Sequence, residues 1–392
     1  MRLLEGIPVK HVDLMIPGPV EVSREVLQEM ASPMVWHRSS EALSSYRECA
    51  LLLAKVFGTE GDVLIMNGSG SVAFDACVGS LIRDNDAVIA CVNGYFGMRN
   101  REIALTYGAR AIDVTTPEGS PITAEAVRNC IKSNIDARAV LVVHHETSTG
   151  ILNPIAEIGS VAREYGIPVI VDAVSSLGID PLEMDKWGIS MCASSPQKGL
   201  EAPPGLGLVA INASGWDAVE TRQPSSHGWH SNLRMWRSVR SPSTNEPSFL
   251  APPVTQAINN IRALHCSLQE IMREGLLQRI ERHARIARIA RAGIRNMGFK
   301  TLPDDRWASN CITAVVNTLD IDVQELLNYL YDEYQIEIGG GIASLAGKIF
   351  RIGHVGLSAS QGFVIRAMFG IEQFLRKKGR PIRVGAGLVG FA

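Results

Sequence analysis

One lysine of this sequence stands in surroundings that could make it a nucleophile. Lys198 lies in the segment SSPQKGLEAPPG at 194–205, among small and turn-forming residues and just ahead of a long apolar run. A lysine that is held away from water loses its proton more easily, and its free amine can then form a Schiff base with a carbonyl compound. Because a lone lysine is far more often a surface group, this interpretation depends on the residues around Lys198.

An aspartate ends an almost entirely apolar segment upstream of Lys198. The segment PVIVDAVSSLG at 168–178 places Asp172 at the end of a predicted buried strand. A carboxylate is costly in such a place unless a cation or hydrogen-bond donors meet it. A protonated pyridine nitrogen would be such a cation, and an aspartate that caps a turn at the strand end is the alternative.

A turn rich in glycine and serine lies where a phosphate could bind. In MNGSGSVAFDACVGSLI at 66–82, the residues Gly68, Ser69, Gly70 and Ser71 join a predicted strand to a predicted helix. The free N–H groups and the dipole of a helix N-terminus favour an anion, and the two serine hydroxyls could add donors. An ordinary glycine turn is the alternative, because the Lys-Ser/Thr ending of a nucleotide-binding P-loop is missing.

These segments belong to a region in which apolar runs alternate with amphipathic ones. The predicted strands are at 62–67, 86–92, 110–114, 139–145, 168–174 and 206–212. Helices are predicted between them, for example from Thr123 to Ser133 and from Ile155 to Tyr165. This rhythm is typical of an α/β domain with a mainly parallel central sheet and helices on both faces. Such a sheet binds its ligand at the carboxyl ends of its strands.

The second half of the chain begins with an irregular region and continues with a helical one. Residues 213–253 have no clean period, which suggests an excursion that packs against something, such as a second subunit. From Val254 to about Met297 the pattern is helical, and arginines recur near every third residue, at positions 279, 282, 285, 288, 291 and 295. A solvated helix face is the expected interpretation, and a nucleic-acid stripe is the alternative.

The last part of the chain has the pattern of a compact α+β domain. Strands are predicted at 311–317 and 348–353, with a helix from Val323 to Tyr334 and a glycine-rich loop at 339–341 between them. A final helix is predicted to run to about Lys378. A second, smaller domain is expected in any case, because 392 residues exceed what one compact core usually holds.

The composition excludes several classes of function. With 46% hydrophobic and 20% charged residues and a formal net charge of −2, the chain lacks the basic excess that nucleic-acid binding demands. Its seven cysteines are scattered without a CxxC pair, which indicates neither a disulfide framework nor a zinc site. Because no apolar run has membrane-spanning length and no signal-peptide pattern is present, we expect a cytoplasmic protein that binds no membrane.

Two histidine clusters have residue types that ligate metals. They are His227 with His230, and His144 and His145 followed by Glu146. Neither cluster comes with a third ligand at a recognisable spacing, so we predict no metal site. The sequence also lacks a Ser-His-Asp order with a nucleophile elbow.

Seven motifs, in order along nearly the whole chain, resemble those of one enzyme family. They are IPGPVEV (16–22), GSGS (68–71), NGYFG (93–97), HETSTG (145–150), VDAVSSLG (171–178), QKGLEAPPG (197–205) and GKIFRIGHVG (347–356). On these motifs the chain resembles the class V aminotransferases, which are enzymes of fold type I that depend on pyridoxal 5′-phosphate (PLP). It is similar to alanine–, serine– and ureidoglycine–glyoxylate aminotransferases, with pyridoxamine–pyruvate and 2-aminoethylphosphonate–pyruvate transaminases as relatives.

The resemblance implies a role at the cofactor for the residues of each motif. Lys198 would hold PLP as a Schiff base, and Asp172 would face the pyridine nitrogen. Val174 would press on one face of the ring, and Phe96 would stack on the other face, where the family often has Trp. The remaining implied contacts are to the phosphate from Ser69, Gly70, Ser71 and Gln197, and to the phenolic oxygen from Thr147.

The resemblance also implies where substrates and a second subunit meet the site. Arg351 would clamp the substrate α-carboxylate, with a buried structural arginine as the alternative. Gly18 would border the substrate pocket, and Arg38 would lie near its entrance unless it is simply exposed. The expected assembly is a homodimer with its active sites at the subunit interface. The expected divisions are an N-terminal arm at 1–20, a large PLP-binding domain at 21–265 and a small C-terminal domain at 266–392.

Two positions depart from the family pattern. Relatives often supply a Tyr and a Thr from the partner subunit to the phosphate, just before a Pro-Val pair. The Thr position is Ala251 in this chain and no Tyr lies nearby, so either Thr244 or Ser248 replaces the Thr or the contact is missing. Pro196 stands where Ser is common before Gln-Lys, so the detailed geometry of the loop around Lys198 is expected to differ from that of the family.

The implied reaction is a ping-pong transamination between a small amino acid, alanine or serine, and glyoxylate or pyruvate. Other amine donors stay open, namely pyridoxamine, ureidoglycine and 2-aminoethylphosphonate. A PLP lyase of the same fold also stays open, although such enzymes usually have His where this chain has Gln197, and a reactive Cys on a mobile loop. A non-catalytic protein of this fold and a nucleotide-binding α/β module are the more distant alternatives.

Overall fold

The larger part of the molecule is built on one seven-stranded sheet. The computed structural model describes residues 11–221, 228–237 and 252–391. In spatial order the strands of this sheet are Asp62–Gly68, Gly205–Ile211, Met191–Ser194, Val169–Asp172, Ala139–Val143, Ala87–Val92 and Arg110–Thr115. Gly205–Ile211 runs antiparallel to both of its neighbours, and the other strands share one direction. The predicted mainly parallel sheet is therefore confirmed.

Helices cover both faces of this sheet. The central strands Ala139–Val143 and Val169–Asp172 are buried along their whole length, and a strand that is apolar on both faces needs a layer of helices on each side. Two hydrophobic cores result, one containing Phe57 and the other containing Phe74. The helices are Arg24–Met30, Ser40–Phe57, Gly70–Leu81, Tyr95–Thr106, Ala124–Ser133, Ile155–Glu164, Met184–Trp187, Ala213–Glu220, Leu233–Trp236 and Ile258–Glu274.

The helices expected between the strands form at the expected places. Ala124–Ser133 begins after Thr123, whose side chain accepts the N–H of Ala126 and so caps the helix. Ile155–Glu164 follows Pro154, as predicted. The strand Met191–Ser194 is not predicted from the sequence, because four residues of mixed size show no period.

The helical region expected from Val254 to about Met297 forms two helices. Ile258–Glu274 and Leu276–Asn296 meet at Gly275, whose φ of 88° lies in the left-handed region that glycine adopts easily. The first helix packs into a core of the large domain, and the second packs into the core of the small domain. The expected boundary at 265/266 falls inside the first helix, and the change of core comes at Gly275.

The smaller domain is a five-stranded sheet with helices packed on it. In spatial order its strands are Asp13–Met15, Ile336–Gly340, Ile349–Gly353, Ile312–Val316 and Lys300–Thr301. Its helices are Leu276–Asn296, Val323–Tyr334 and Gln361–Lys377, with short 3-10 helices at Ala343–Leu345, Gly356–Ser358 and Ala386–Phe391. The predicted α+β pattern of this part of the chain is present.

Two details of the small domain differ from the sequence pattern. The glycine-rich segment 339–341 is not wholly a loop, because Gly339 and Gly340 end a strand and pair with the strand Ile349–Gly353. The N-terminal arm contributes an edge strand, since Asp13–Met15 pairs in parallel with the strand Ile336–Gly340. The arm is therefore part of the small domain before it reaches the large one.

The arginine repeat on the helix Leu276–Asn296 is not simply a solvated face. Arg285 and Arg288 are exposed, as expected, but Arg279 and Arg291 are buried, with exposed fractions of 2% and 5%. A buried arginine keeps its charge and needs partners. The expectation fails for these two residues because the period of the pattern does not reveal which side of the helix faces the other domain.

The described residues contain no candidate membrane-spanning helix, and several residues singled out in the sequence lie outside them. Within the described part of the chain, no helix has the length and apolar character that crossing a membrane requires. Thr244, Ser248 and Ala251, the positions discussed for the partner's phosphate, lie outside the described residues, and so does His227. The predictions made for them stay predictions.

Candidate active site

Loops at the carboxyl ends of the parallel strands enclose a cleft, which we call the central cleft. It holds about 470 Å³ of free space, including the part that opens to solvent. Its lining consists of Ser69, Gly70, Ser71, Phe96, Arg99, Val143, His145, Thr147, Asp172, Val174, Ser175, Gln197 and Lys198. Every residue that the sequence predicts to contact a cofactor belongs to this set. The structure thus brings together segments that are far apart in the chain.

Lys198 enters the central cleft from a turn that follows the strand Met191–Ser194. Its Nζ donates a hydrogen bond to the carbonyl oxygen of Pro17 at 2.7 Å. Gly18 packs against the lysine stem so closely that a Cβ at this position would lie 2.9 Å from Lys198 Cγ. Burial lowers the pKa of the Lys198 amine below the usual lysine range, and nearby arginines act in the same direction. The amine therefore reaches its reactive free-base form more easily than a surface lysine.

The backbone around Lys198, which we call the Lys198 loop (195–202), is held by hydrogen bonds. Pro196 O accepts from Ala202 N at 3.1 Å, which closes the loop on itself. Gln197 O accepts from Val20 N at 3.2 Å, so the N-terminal arm braces the loop from outside. Pro196, which departs from the family pattern, is accommodated because this contact uses its carbonyl and not an N–H.

Asp172 ends its strand with a carboxylate that lines the central cleft and is only 3% exposed. Its Oδ1 accepts the backbone N–H of Val174 at 3.0 Å. Its Oδ2 accepts from Nη2 of Arg99 at 3.1 Å and from Nδ2 of Asn100 at 3.3 Å. These donors offset the cost of burying the carboxylate and fix its direction.

Phe96 and Arg99 lie on the same side of the helix Tyr95–Thr106. The guanidinium carbon of Arg99 is 4.7 Å from the centroid of the Phe96 ring, which is a cation–π contact. Both residues line the central cleft together with Val174, so an aromatic and a β-branched surface are available to a flat ring. The sequence motifs do not single out Arg99, although its i, i+3 spacing from Phe96 is the signal that could have found it.

The predicted phosphate site is the start of the helix Gly70–Leu81. Ser69 is the N-cap residue, and its side chain makes no capping hydrogen bond. A Cβ at Gly70 would lie 2.4 Å from Cγ2 of Val174, so the helix can begin this close to the sheet only with glycine. Because the first N–H groups of a helix have no partner within it, this end of the central cleft favours an anion.

The wall of the central cleft near Thr147 is a network of buried polar groups. Thr147 Oγ1 and Ser175 Oγ are 2.6 Å apart, and His145 Nδ1 lies 3.4 Å from Ser175 O. Burial lowers the pKa of His145 to about 3, so its ring is neutral at physiological pH. His145 and Ser175 are cleft residues that the sequence did not assign, although both lie inside motifs of the family.

Arg351 approaches the central cleft from the small domain. It lies on the strand Ile349–Gly353 and is 8% exposed. Its Nε donates to Gly340 O at 2.9 Å, and its Nη1 donates to Thr147 O at 3.1 Å. Within the described residues its Nη2 makes no hydrogen bond, so this nitrogen can donate to a substrate. Burial lowers the pKa of Arg351, but an arginine remains charged at neutral pH.

Like Arg351, the other two predicted substrate residues are not among those that line the central cleft. Gly18 touches the stem of Lys198, as described above. Arg38 is exposed, in the turn before the helix Ser40–Phe57. Their roles toward a substrate stay predictions.

Three cleft residues have a buried polar atom without a hydrogen-bond partner in the described part of the chain. These atoms are His145 Nε2, Gln197 Oε1 and Arg99 Nε. Such atoms are rare in folded proteins and mark places where a ligand or water binds. Together with the Lys198 amine and the helix start at Ser69, they fit a ligand that combines a carbonyl, a ring and a phosphate. No group of three or more His, Cys, Asp or Glu side chains that could hold a metal ion occurs among the described residues.

Known proteins resemble this chain in both sequence and structure. The family model for the class-V aminotransferases matches residues 20–372. An uncharacterized aminotransferase of Methanocaldococcus jannaschii is 35% identical over 370 residues, which are 94% of this chain and 94% of the relative. The crystal structure of ureidoglycine–glyoxylate aminotransferase from Bacillus subtilis is 28% identical, with a TM-score of 0.91 over 97% of this chain and 96% of that one. For alanine–glyoxylate aminotransferase from Nostoc sp. the identity is 29% and the TM-score 0.90, over 95% and 97%.

Proposed function

Because this chain belongs to the class-V aminotransferases and has their type I fold, we propose that it binds PLP and transfers an amino group from alanine or serine to glyoxylate or pyruvate. In the net reaction the amino group and the Cα hydrogen of the donor are exchanged for the keto oxygen of the acceptor. The donor becomes an oxo acid, and the acceptor becomes an amino acid. Support for glyoxylate comes from the two solved relatives, whose names both include it.

The observation that carries this proposal is the convergence of three groups on the central cleft. The amine of Lys198, the carboxylate of Asp172 and the helix start at Ser69 all line it. An amine can form a Schiff base with a carbonyl group, a carboxylate can stabilise a proton on a ring nitrogen, and a helix N-terminus can bind a phosphate. When bound, PLP supplies the electron sink that makes amino-group transfer feasible.

Lys198 has two tasks in this proposal. Its amine would attach the cofactor, and when a substrate amine replaces it, the freed amine would take the proton from the substrate Cα. A lysine suits the second task because burial lowers its pKa, so that its free base forms more easily than that of an exposed lysine. Lys198 Nζ donates to Pro17 O, next to Gly18, which the resemblance places at the border of the substrate pocket.

Asp172 would act on the cofactor, and Arg351 would act on the substrate. Asp172 would keep a proton on the pyridine nitrogen, held in direction by Val174, Arg99 and Asn100. Arg351 would bind the substrate α-carboxylate through its Nη2, because its other two nitrogens are already fixed by backbone carbonyls. Both amino acid and oxo acid carry this carboxylate, so one arginine can serve both half-reactions.

The proposal includes a homodimer with its active sites at the subunit interface. Met34 and Trp36 are 74% and 66% exposed and lie next to Arg38 in the chain. Large apolar side chains with this exposure are typical of surfaces that contact another protein. A second copy of the chain that covers them would also bring Arg38 toward an active-site entrance.

The cysteines argue against a lyase of the desulfurase kind. Five of the seven are buried, and Cys130 and Cys266 are half-buried. Burial raises the pKa of Cys311 to about 12 and also raises the pKa of Cys130. A protonated thiol is a poor nucleophile, so these side chains do not suit an enzyme whose reaction needs a thiolate.

A spectral experiment tests the proposed function. The purified protein with PLP should be yellow, and the visible band should be absent in Lys198→Ala. Titration with alanine, serine, aspartate, pyridoxamine and 2-aminoethylphosphonate should convert the band with alanine or serine, and glyoxylate or pyruvate should restore it. Lys186→Ala is the control, because Lys186 is exposed and lies on a short surface helix.

Two outcomes would contradict the proposal in different ways. A protein that stays colourless with PLP, or a band that survives in Lys198→Ala, would remove Lys198 from its role. A band that alanine and serine leave unchanged but another amine converts would keep the aminotransferase and replace the donor.

A further inference from the structure

A buried arginine of the small domain reaches the loops of the central cleft. Arg279 lies near the start of the helix Leu276–Asn296 and is 2% exposed. Its Nε donates to Gly178 O at 3.0 Å, and its Nη2 donates to Gly199 O at 2.7 Å. Two acceptors therefore lie in the large domain, and each is in a segment that carries a cleft residue.

These two carbonyls belong to the segments of Asp172 and Lys198. Gly178 ends the stretch 172–178 that begins with Asp172, and Gly199 directly follows Lys198. One planar guanidinium thus joins both segments at fixed distances. A lysine could not do so, because its single nitrogen cannot point donors at two separated carbonyls and a carboxylate in one plane.

The charge of Arg279 is compensated by two carboxylates. Its Nη2 also donates to Glu201, and its Nη1 donates to Glu274 Oε2 at 3.0 Å. Glu201 is itself buried, at 5% exposure, and belongs to the Lys198 loop. A buried ion pair with additional hydrogen bonds is costly to break from one side, because the remaining charge then lacks a partner.

The ion pair between Arg279 and Glu201 holds the Lys198 loop in its conformation. Glu201 has a φ of 49°, in the left-handed region, which is unfavourable for a residue other than glycine. In this conformation its N–H donates to Lys198 O at 3.0 Å and closes the turn that presents the lysine. The pair with Arg279 holds Glu201 where the turn requires it.

The same cluster extends to the strand of Arg351. Arg282, one helical turn after Arg279, pairs with Glu274 and donates to Gly356 O at 2.8 Å. Gly356 follows the strand Ile349–Gly353 and packs so tightly on Glu201 that a Cβ would lie 2.3 Å from its side chain. A continuous set of contacts therefore links the Lys198 loop to the segment that follows Arg351.

We propose that Arg279 is a positioning residue for the amino-group transfer, which fixes Lys198 and Asp172 relative to each other and to the small domain. This inference rests on the proposed function. Arg279 does not line the central cleft and acts through the backbone at Gly178 and Gly199. Its effect is geometric, and misplacing a reacting group by about 1 Å can cost about 100-fold in rate.

The test compares Arg279→Met and Glu201→Gln with Arg288→Met, an exposed arginine on the same helix. In the full chain with PLP, we expect Arg279→Met to lower kcat about 10- to 100-fold and to change the KM for the oxo acid much less. Glu201→Gln, which keeps the side-chain shape, should show a smaller fall in the same direction. Arg288→Met should match the wild type.

A second readout does not depend on turnover. After the cofactor is removed with hydroxylamine, Lys198 is labelled with acetic anhydride at a series of pH values and quantified by peptide mass spectrometry. A relaxed loop hydrates the amine, so its pKa should rise in Arg279→Met, and labelling at pH 8 should slow about threefold or more. If Arg279→Met does not fold, Glu201→Gln carries the comparison.

The outcomes separate this inference from the proposed function. Unchanged kcat and an unchanged labelling profile in Arg279→Met and Glu201→Gln, even with lower thermal stability, would leave Arg279 a purely structural residue. A wild-type protein without a visible band would instead contradict the PLP proposal, and the labelling profiles would still decide whether Arg279 positions Lys198.

Discussion

The two ends of one stretch of chain, 172–180, place a buried aspartate in different surroundings. At the central cleft, Asp172 lies near three buried polar atoms, on His145, Gln197 and Arg99. These atoms have no hydrogen-bond partner in the described part of the chain. At the other end, Asp180 lies in what we call the domain seam, the contact of residues 178–180 with the small domain. Its carboxylate accepts from Ser309 Oγ at 2.8 Å and from the backbone N–H of Asn310 at 3.1 Å.

Polar groups near Asp172 serve ligand binding, and those around Asp180 serve the stability of the fold. A buried polar atom without a partner is costly, so those that line a cleft mark where a ligand can meet them. In the domain seam, Asp180 instead meets Ser309 and Asn310 of the small domain and helps to fix the two domains to each other. Conservative substitution of Asp172 should therefore cost rate, and that of Asp180 should cost stability.

The largest effect is expected from Asp172→Asn in the central cleft. An amide has nearly the shape of the carboxylate but cannot stabilise a proton on the pyridine nitrogen, so we expect PLP to remain bound while both half-reactions slow on the order of 100-fold or more. Single-turnover rates with each substrate measure this. Unchanged rates would mean that Asp172 does not face the reacting group.

A smaller effect on binding is expected from Arg351→Ala. Charge-assisted hydrogen bonds contribute about 1.5–3 kcal/mol each, so the KM for the amino acid and for the oxo acid should both rise about 10- to 100-fold. Arg288→Ala, at an exposed arginine, is the control and should leave both KM values unchanged. Normal KM values for both carboxylate substrates would make Arg351 a structural arginine.

The smallest effect on rate is expected from Asp180→Asn in the domain seam. Burial raises the pKa of Asp180 to about 6, so this group adds stability at low pH and loses that contribution as the pH rises through about 6. The asparagine variant lacks this titration. The stability of the wild type relative to Asp180→Asn should therefore fall by on the order of 1 kcal/mol between pH 5 and pH 8.

Urea unfolding of both proteins at the two pH values checks this prediction. Comparing the variants cancels other titrating groups that both proteins share. A pH-independent stability difference, or a loss of turnover as large as that of Asp172→Asn, would erase the distinction between the seam and the central cleft.

Features with a local signal were predictable from the sequence. The strands ending at Asp172 and Val143 are continuous apolar runs, and the turn from Ser69 to Ser71 combines the end of a strand with the start of a helix. Their positions follow from the rule that parallel strands bring their carboxyl ends together. The motifs around Lys198 then assigned roles to the cleft residues that composition alone could not have assigned.

Features that depend on the second domain were not predictable. Arg279 and Arg288 occupy equivalent positions in the arginine repeat, yet one is buried against Glu201 and the other is exposed. Nothing local distinguishes them, because burial depends on which face of the helix meets a loop from another part of the chain. The sequence did not single out Arg99 for a related reason, since its partner Asp172 lies on a strand that is distant from Arg99 in the sequence.

The edge strand Asp13–Met15 has a consequence for how the protein is made. A ribosome releases this strand early, but its pairing partner Ile336–Gly340 emerges only after the whole large domain. Until then Met15, which is completely buried in the finished molecule, has no sheet to join. The segment from Pro17 to Val20, which braces Lys198, is consequently anchored late. A nascent chain can thus complete its large domain before the lysine is locked in place.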